Sequence, residues 1–199
     1  MNRDAGFFST GTFVPAVRGF TLLELIMTLG IISILLLVAL PNLGVWVRES
    51  RVQTTANRLQ SVLSLARAEA VNRGYRITLC ASDTGTRCNS NKRQGKYIWR
   101  FALLFQDTDE NRLYDSATDE LIRHMILSDK VEVLWNRGES TVYQGDGSLL
   151  GGSNGSFYVF DAAEPADGLR LVAQMTGRVR RQTLGNTELA YLSEYLDNR

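Results

Sequence analysis

Between Phe20 and Leu40 the chain is apolar at almost every position, and the single charge in that run is Glu24. Written as a helix rising about 1.5 Å per residue, the run covers roughly 30 Å, the thickness of a bilayer's hydrocarbon core, and predicts one membrane span. An ionised carboxylate at that depth costs on the order of a few kcal/mol and calls for a named partner. The nearest candidate is the amino group that a cut after Gly19 would create. Pro41 follows the run, and its ring, which removes one backbone hydrogen bond, predicts a local bend or break.

Past Pro41 the pattern changes character. Leu59, Val62, Leu63, Ala66 and Ala70 recur at helical spacing with Arg58, Arg67, Glu69 and Arg73 between them, which predicts an amphipathic helix lying on a sheet. Asn72-Arg73-Gly74 is its predicted stop, with Gly74 in the left-handed position. Runs rich in β-branched, aromatic and leucine residues then predict strands at 76–80, 97–105, 121–127, 131–135, 157–160 and 169–173. Turn-rich pieces such as Asp146-Gly147-Ser148 separate them, and a second helical pattern arises only at 187–195. The expectation is an α+β fold: a long N-terminal membrane-spanning helix packed on an antiparallel β-sheet domain.

About 150 residues remain beyond the membrane-proximal helix, enough for one globular domain with its own core. The formal net charge is +1, and the first 19 residues carry Arg3, Arg18 and Asp4, so the rest of the chain is neutral and no global field selects nucleic acid or membrane. Charge is instead clustered. Arg87, Lys92, Arg93, Lys96 and Arg100 form one basic stretch, and Arg170, Arg178, Arg180 and Arg181 a second. Asp107, Asp109, Glu110, Asp115, Asp119 and Glu120 crowd the segment between them. A solvated face is the ordinary explanation of any one such run.

The residues Gly19-Phe20-Thr21-Leu22-Leu23-Glu24 resemble the prepilin-peptidase signature of type IV pilins and type II secretion pseudopilins. The resemblance implies cleavage after Gly19 and methylation of Phe20. It makes Glu24 the assembly residue, facing the N-terminus of a neighbouring subunit in a filament. The alternative is a signal-anchor helix in which Glu24 snorkels to the interface. The segment Leu65 to Gly74, the strand ending at Cys80 and Thr176-Gly177-Arg178-Val179-Arg180 are similar to the GspH/FimT subfamily of type IV pilin-like proteins. That likeness implies a prepilin leader over 1–19, a transmembrane and assembly helix over 20–47 and a periplasmic pilin domain over 48–199. The chain would sit in the bacterial inner membrane as a single-pass protein until it joins a filament. Its partners would be prepilin peptidase and other pilins or pseudopilins, and its work filament priming for type II secretion or for a type IV pilus.

An alternative function rests on Gly177-Arg178-Val179-Arg180, which matches a pattern associated with DNA-binding FimT-like proteins, with Arg181 as a further charge. On a strand, Arg178 and Arg180 share one side and could grip successive phosphates of double-stranded DNA without reading its sequence. Equally, a Gly-Arg turn could cap a hairpin whose arginines pair with the acidic segment.

Cys80 and Cys88 are the only cysteines, and a periplasmic location would oxidise them to a disulfide closing a loop of about nine residues, with roughly 2–3 kcal/mol of stabilisation. Their spacing fits no zinc pattern, and His124 is the lone histidine, so no metal site or cofactor is assigned. Asp107-Thr108-Asp109-Glu110-Asn111 resembles the start of a calcium loop but lacks the central glycine and distal glutamate, and a polar turn explains it as well. Catalysis is not expected: nothing flanks His124 like a nucleophile motif, and the glycines near 145–155 lack the Lys-Ser/Thr pair of a phosphate loop.

Overall fold

A computed structural model describes residues 19–89, 91–93, 96–127 and 130–196, with backbone alone at 38–42, 91–93 and 96. The order is α1 (Leu22–Arg73), β1 (Ile77–Ser82), β2 (Asn91–Arg93), β3 (Lys96–Ile98), β4 (Phe101–Gln106) and β5 (Glu120–Ile126). It continues with β6 (Glu132–Trp135), β7 (Ser140–Tyr143), β8 (Gly155–Asp161), β9 (Glu164–Ala173), β10 (Val179–Thr183) and α2 (Asn186–Leu196). The chain divides into two compact units, Met1–Leu43 and Gly44–Arg199. α1 is one helix through position 41, so the break anticipated at Pro41 does not occur.

In the first unit, the described apolar side chains from Leu22 to Leu37 are half exposed or more. Thr28 and Ser33 donate their hydroxyls to the carbonyls of Leu25 and Leu29, both at 2.8 Å, which satisfies the polar atoms of the run inside the helix. Among the described residues no helix is long and apolar enough to cross a membrane. The apolar part with described side chains ends at Leu37, about 24 Å along the helix from its start.

In the second unit the strands form two antiparallel sheets, ordered β5-β4-β1-β7 and β10-β9-β8-β6-β3-β2. The expected single strand over 97–105 is two strands in different sheets. The chain changes sheet at Trp99 and Arg100, where Trp99 N–H donates to Val133 and the Arg100 carbonyl accepts from Leu127. β2 and β7 were not anticipated, because they are short and carry little periodicity of their own, and β10 was raised only as a strand or hairpin for the Arg178–Arg180 segment.

The helical stripe of α1 is buried as its spacing predicts: Leu59, Val62, Leu63, Ala66 and Ala70 enter one core with inward residues of both sheets, and Val52 and Ala56 extend it toward the N-terminus. Trp135 stacks on Phe157 at 4.0 Å between ring centroids, and Trp99 meets the same ring edge-on at 5.1 Å. Strands β6 and β8 read as continuous apolar runs because both their faces are covered. Val133, Trp135, Phe157 and Val159 face the α1 core, while Leu134, Tyr158 and Phe160 pack with Leu192 and Tyr195 of α2. The outer face of the four-stranded sheet holds a smaller cluster of Cys80, Leu103 and Phe105, bordered by Cys88 and Tyr114.

Candidate functional sites

At the N-terminal end of α1, Thr21 is the cap. Its Oγ1 accepts from the Glu24 N–H at 3.2 Å, and its carbonyl accepts from Leu25 at 3.1 Å. Thr21 and Glu24 have capping-box spacing, and the carboxylate sits in the first turn, at the positive end of the helix dipole. Glu24 is thus accounted for locally as well as by its candidate assembly role, and the Thr-x-x-Glu spacing was the overlooked signal in the sequence. Gly19 and Phe20 precede the helix, with Phe20 82% exposed. The rest of the expected leader, residues 1–18, lies outside the described residues.

The second site is built by two hairpin turns of the same form. Gly147 N–H donates to Gln144 and Gln144 N–H to Ser148, while Gly177 N–H donates to Gln174 and Gln174 N–H to Arg178. Both glycines are left-handed, at φ 79° and 76°. The turns stack: Leu149 N–H donates to the Met175 carbonyl, and a Cβ on Gly177 would lie 1.9 Å from the Gly147 oxygen. That oxygen accepts from Nε of Arg67 on α1 at 3.1 Å. An open groove of about 540 Å³ results, lined by Arg67, Ser64, Val71, Arg178 and Arg180 among others.

The four arginines of the second basic stretch do not act as one patch. Arg170 is half-buried, donates to Ser156 Oγ at 2.9 Å and pairs with Glu188 of α2. Arg181 donates to Asn57 of α1 at 2.9 Å. Arg178 and Arg180 are exposed on the groove, and no carboxylate among the described residues pairs with them. The acidic segment finds other partners: Glu120 pairs with Arg73, and Glu110 with Arg76. In the first basic stretch Arg87 and Arg100 are exposed, while the side chains of Lys92, Arg93 and Lys96 lie outside the described residues. His124 is exposed on the edge strand β5 and stacks on Phe101 at 5.6 Å.

The disulfide forms as expected, with Cys80 and Cys88 5.6 Å apart at Cα. The Tyr114 N–H points at Cys88 Sγ, 3.1 Å away, and the Tyr114 ring meets Phe105, so the β4–β5 loop is pinned over the disulfide. Inside that loop Asp107 is buried and accepts from the Thr78 hydroxyl at 2.7 Å and the Arg112 N–H at 3.1 Å. Burial raises the Asp107 carboxyl above the usual carboxylate range, those two donors oppose the rise, and nearby Asp119 and Asp109 add to it.

Residues 55–177 match the family described as type II transport protein GspH, and residues 15–40 match the prokaryotic N-terminal methylation motif. The chain belongs to the GspH family. Its fold is similar to that of the type IV minor pilin FimU of Pseudomonas aeruginosa, with a TM-score of 0.50 and 16% identity over 65% of this chain and 91% of that one. The minor pseudopilin EpsH from the type 2 secretion system of Vibrio cholerae scores 0.48 at 16% identity, over 68% and 99% of the two chains. No curated protein sequence matches the chain. As a GspH-family protein with a methylation motif, the chain is a minor pilin or pseudopilin. It is a structural subunit, anchored to a membrane and facing the periplasm, that assembles with other pilins in a filament.

Proposed function

We propose that this GspH-family chain is made as a prepilin, cut by prepilin peptidase after Gly19, methylated at Phe20 and held in the bacterial inner membrane by a single pass over residues 20–47, with 48–199 in the periplasm. From there it enters a short filament through Glu24 and serves in filament priming for type II secretion or a type IV pilus. The observation that carries the reading is the methylation motif over 15–40, which meets a helix capped at Thr21, directly after the cut. Removal of the leader leaves that cap intact, so processing yields an N-terminus that is already helical and bears Glu24 in its first turn.

Mass spectrometry of the membrane-extracted protein tests processing: the expected N-terminus is methyl-Phe20, and Gly19→Val should retain the leader. A full-length mass in the wild type, or an unchanged cut in Gly19→Val, refutes it. Glu24→Ala should keep the folded domain but drop out of sheared filaments at native expression. Normal incorporation refutes the assembly role.

A second reading, capture of double-stranded DNA, has one supporting observation: Arg178 and Arg180 face a groove without a paired carboxylate among the described residues. Two phosphate contacts would give a salt slope near −2 in log K against log salt. A folded Arg178→Gln/Arg180→Gln protein that binds DNA as the wild type does would refute it.

A further inference from the structure

The β4–β5 loop places one oxygen from each of Asp107, Asp109 and Asp119 within 4.8 Å of one another. Asp107 and Asp119 are buried, whereas Asp109 is exposed. Carboxylates alone would not mark a site, but Asp107 carries a second feature. It is 2% exposed, its Oδ2 is taken by Thr78 and Arg112, and its Oδ1 is buried without any partner among the described residues. A buried carboxylate oxygen without a donor is costly unless a cation meets it.

The local cations are also accounted for. Arg73 and Arg76 are spent on Glu69, Glu120 and Glu110, which leaves the three aspartates without an arginine or lysine partner among the described residues. Backbone N–H groups hold the carboxylates in place: Thr108 and Asp115 each donate to Asp119 at 3.0 Å, and Asn111 donates to Asp109. Each oxygen so bound keeps a further lone pair.

We propose that the β4–β5 loop is a calcium site, with Asp107 Oδ1 and one oxygen each of Asp109 and Asp119 as its carboxylate ligands. Oxygens spread over at most 4.8 Å fit a sphere of about 2.3–2.6 Å radius, the Ca–O distance. All three donors are hard oxygens, which suit calcium or magnesium over zinc or copper, and the buried-to-exposed arrangement leaves an outer side for the waters and carbonyls that calcium's six to eight positions require. The sequence showed Asp107 and Asp109. Asp119, past the point where the calcium-loop pattern fails, joins them because the loop closes on it, with Thr108 and Asp115 N–H groups both donating to its carboxylate. Calcium here would fasten the loop over the disulfide cluster, an effect independent of how the filament is used.

The test uses the full chain in detergent micelles, stripped with EGTA and titrated with calcium chloride by calorimetry, with magnesium chloride as control. The expected result is one calcium per chain, with Kd of about 10⁻³ M or tighter, a higher Tm in calcium than in EGTA, and weaker binding of magnesium. Asp109→Asn, at an exposed position, should keep the wild-type circular dichroism spectrum and weaken calcium binding about tenfold or more. No calcium heat and no Tm shift at about 10 mM calcium, with the wild type folded, overturns the proposal. So does an unchanged affinity in Asp109→Asn.

Discussion

Alanine at Gly177, a buried turn position, should be among the most damaging substitutions in the molecule, and the reason can be separated into two parts. The left-handed φ of 76° strains any residue with a Cβ by about 1–2 kcal/mol. Gly74 supplies the control for that part, since its φ is 69° and a Cβ there would meet nothing within 4 Å. The second part belongs to Gly177 alone: its Cβ would sit 1.9 Å from the Gly147 oxygen, so the two turns must move apart. Parting them weakens the Leu149 to Met175 bond and the Arg67 to Gly147 bond, each worth about 1 kcal/mol. Gly177→Ala is therefore expected to cost about 3–4 kcal/mol and Gly74→Ala about 1–2. At roughly 2–4 °C per kcal/mol for a domain of this size, the first should lower Tm by about 6–16 °C. Arg178→Gln/Arg180→Gln should stay within about 0.5 kcal/mol of wild type, because those exposed side chains hold no structural bond among the described residues. Thermal melts of the full chain in detergent provide the measurement. Equal losses in the two glycine variants would refute the stacked-turn argument, and a large loss in the arginine variant would show that these side chains hold the fold together.

Two other outcomes follow from the interior. Reducing the Cys80–Cys88 disulfide, or replacing both residues by serine, should lower stability by about 2–3 kcal/mol in urea unfolding; no change would mean that the loop is held by Tyr114 and its neighbours alone. Tyr143 is buried, its hydroxyl has no partner among the described residues, and burial raises its pKa, with Arg67 opposing the rise. A raised pKa leaves its contribution complete below the unfolded value near 10 and lost as pH climbs above it. Tyr143→Phe should match or exceed wild-type stability near pH 7 and lose less between about pH 9 and 11, and an identical alkaline loss would contradict this.

What could be read without a structure was whatever depends on local spacing. The apolar run with Glu24, the stripe from Leu59 to Ala70, the stop at Gly74 and the cysteine pair were all legible, because each is encoded by neighbours in sequence. The methylation motif is local for the same reason, since it lies within residues 15–40. Tertiary structure decided everything that depends on residues meeting from afar. It split 97–105 between two sheets, because Tyr97 and Ile98 pair with β6 while β4 pairs with β1. It drew Arg170 to Glu188 and Arg181 to Asn57 while leaving Arg178 and Arg180 on the groove, a sorting invisible in a run of like charges. It also gave Gly177 its necessity, through a carbonyl thirty residues earlier in the chain, and brought Asp119 beside Asp107. Spacing along a chain specifies which side of a helix or strand a group occupies, but the partner it meets there is set by how the elements pack.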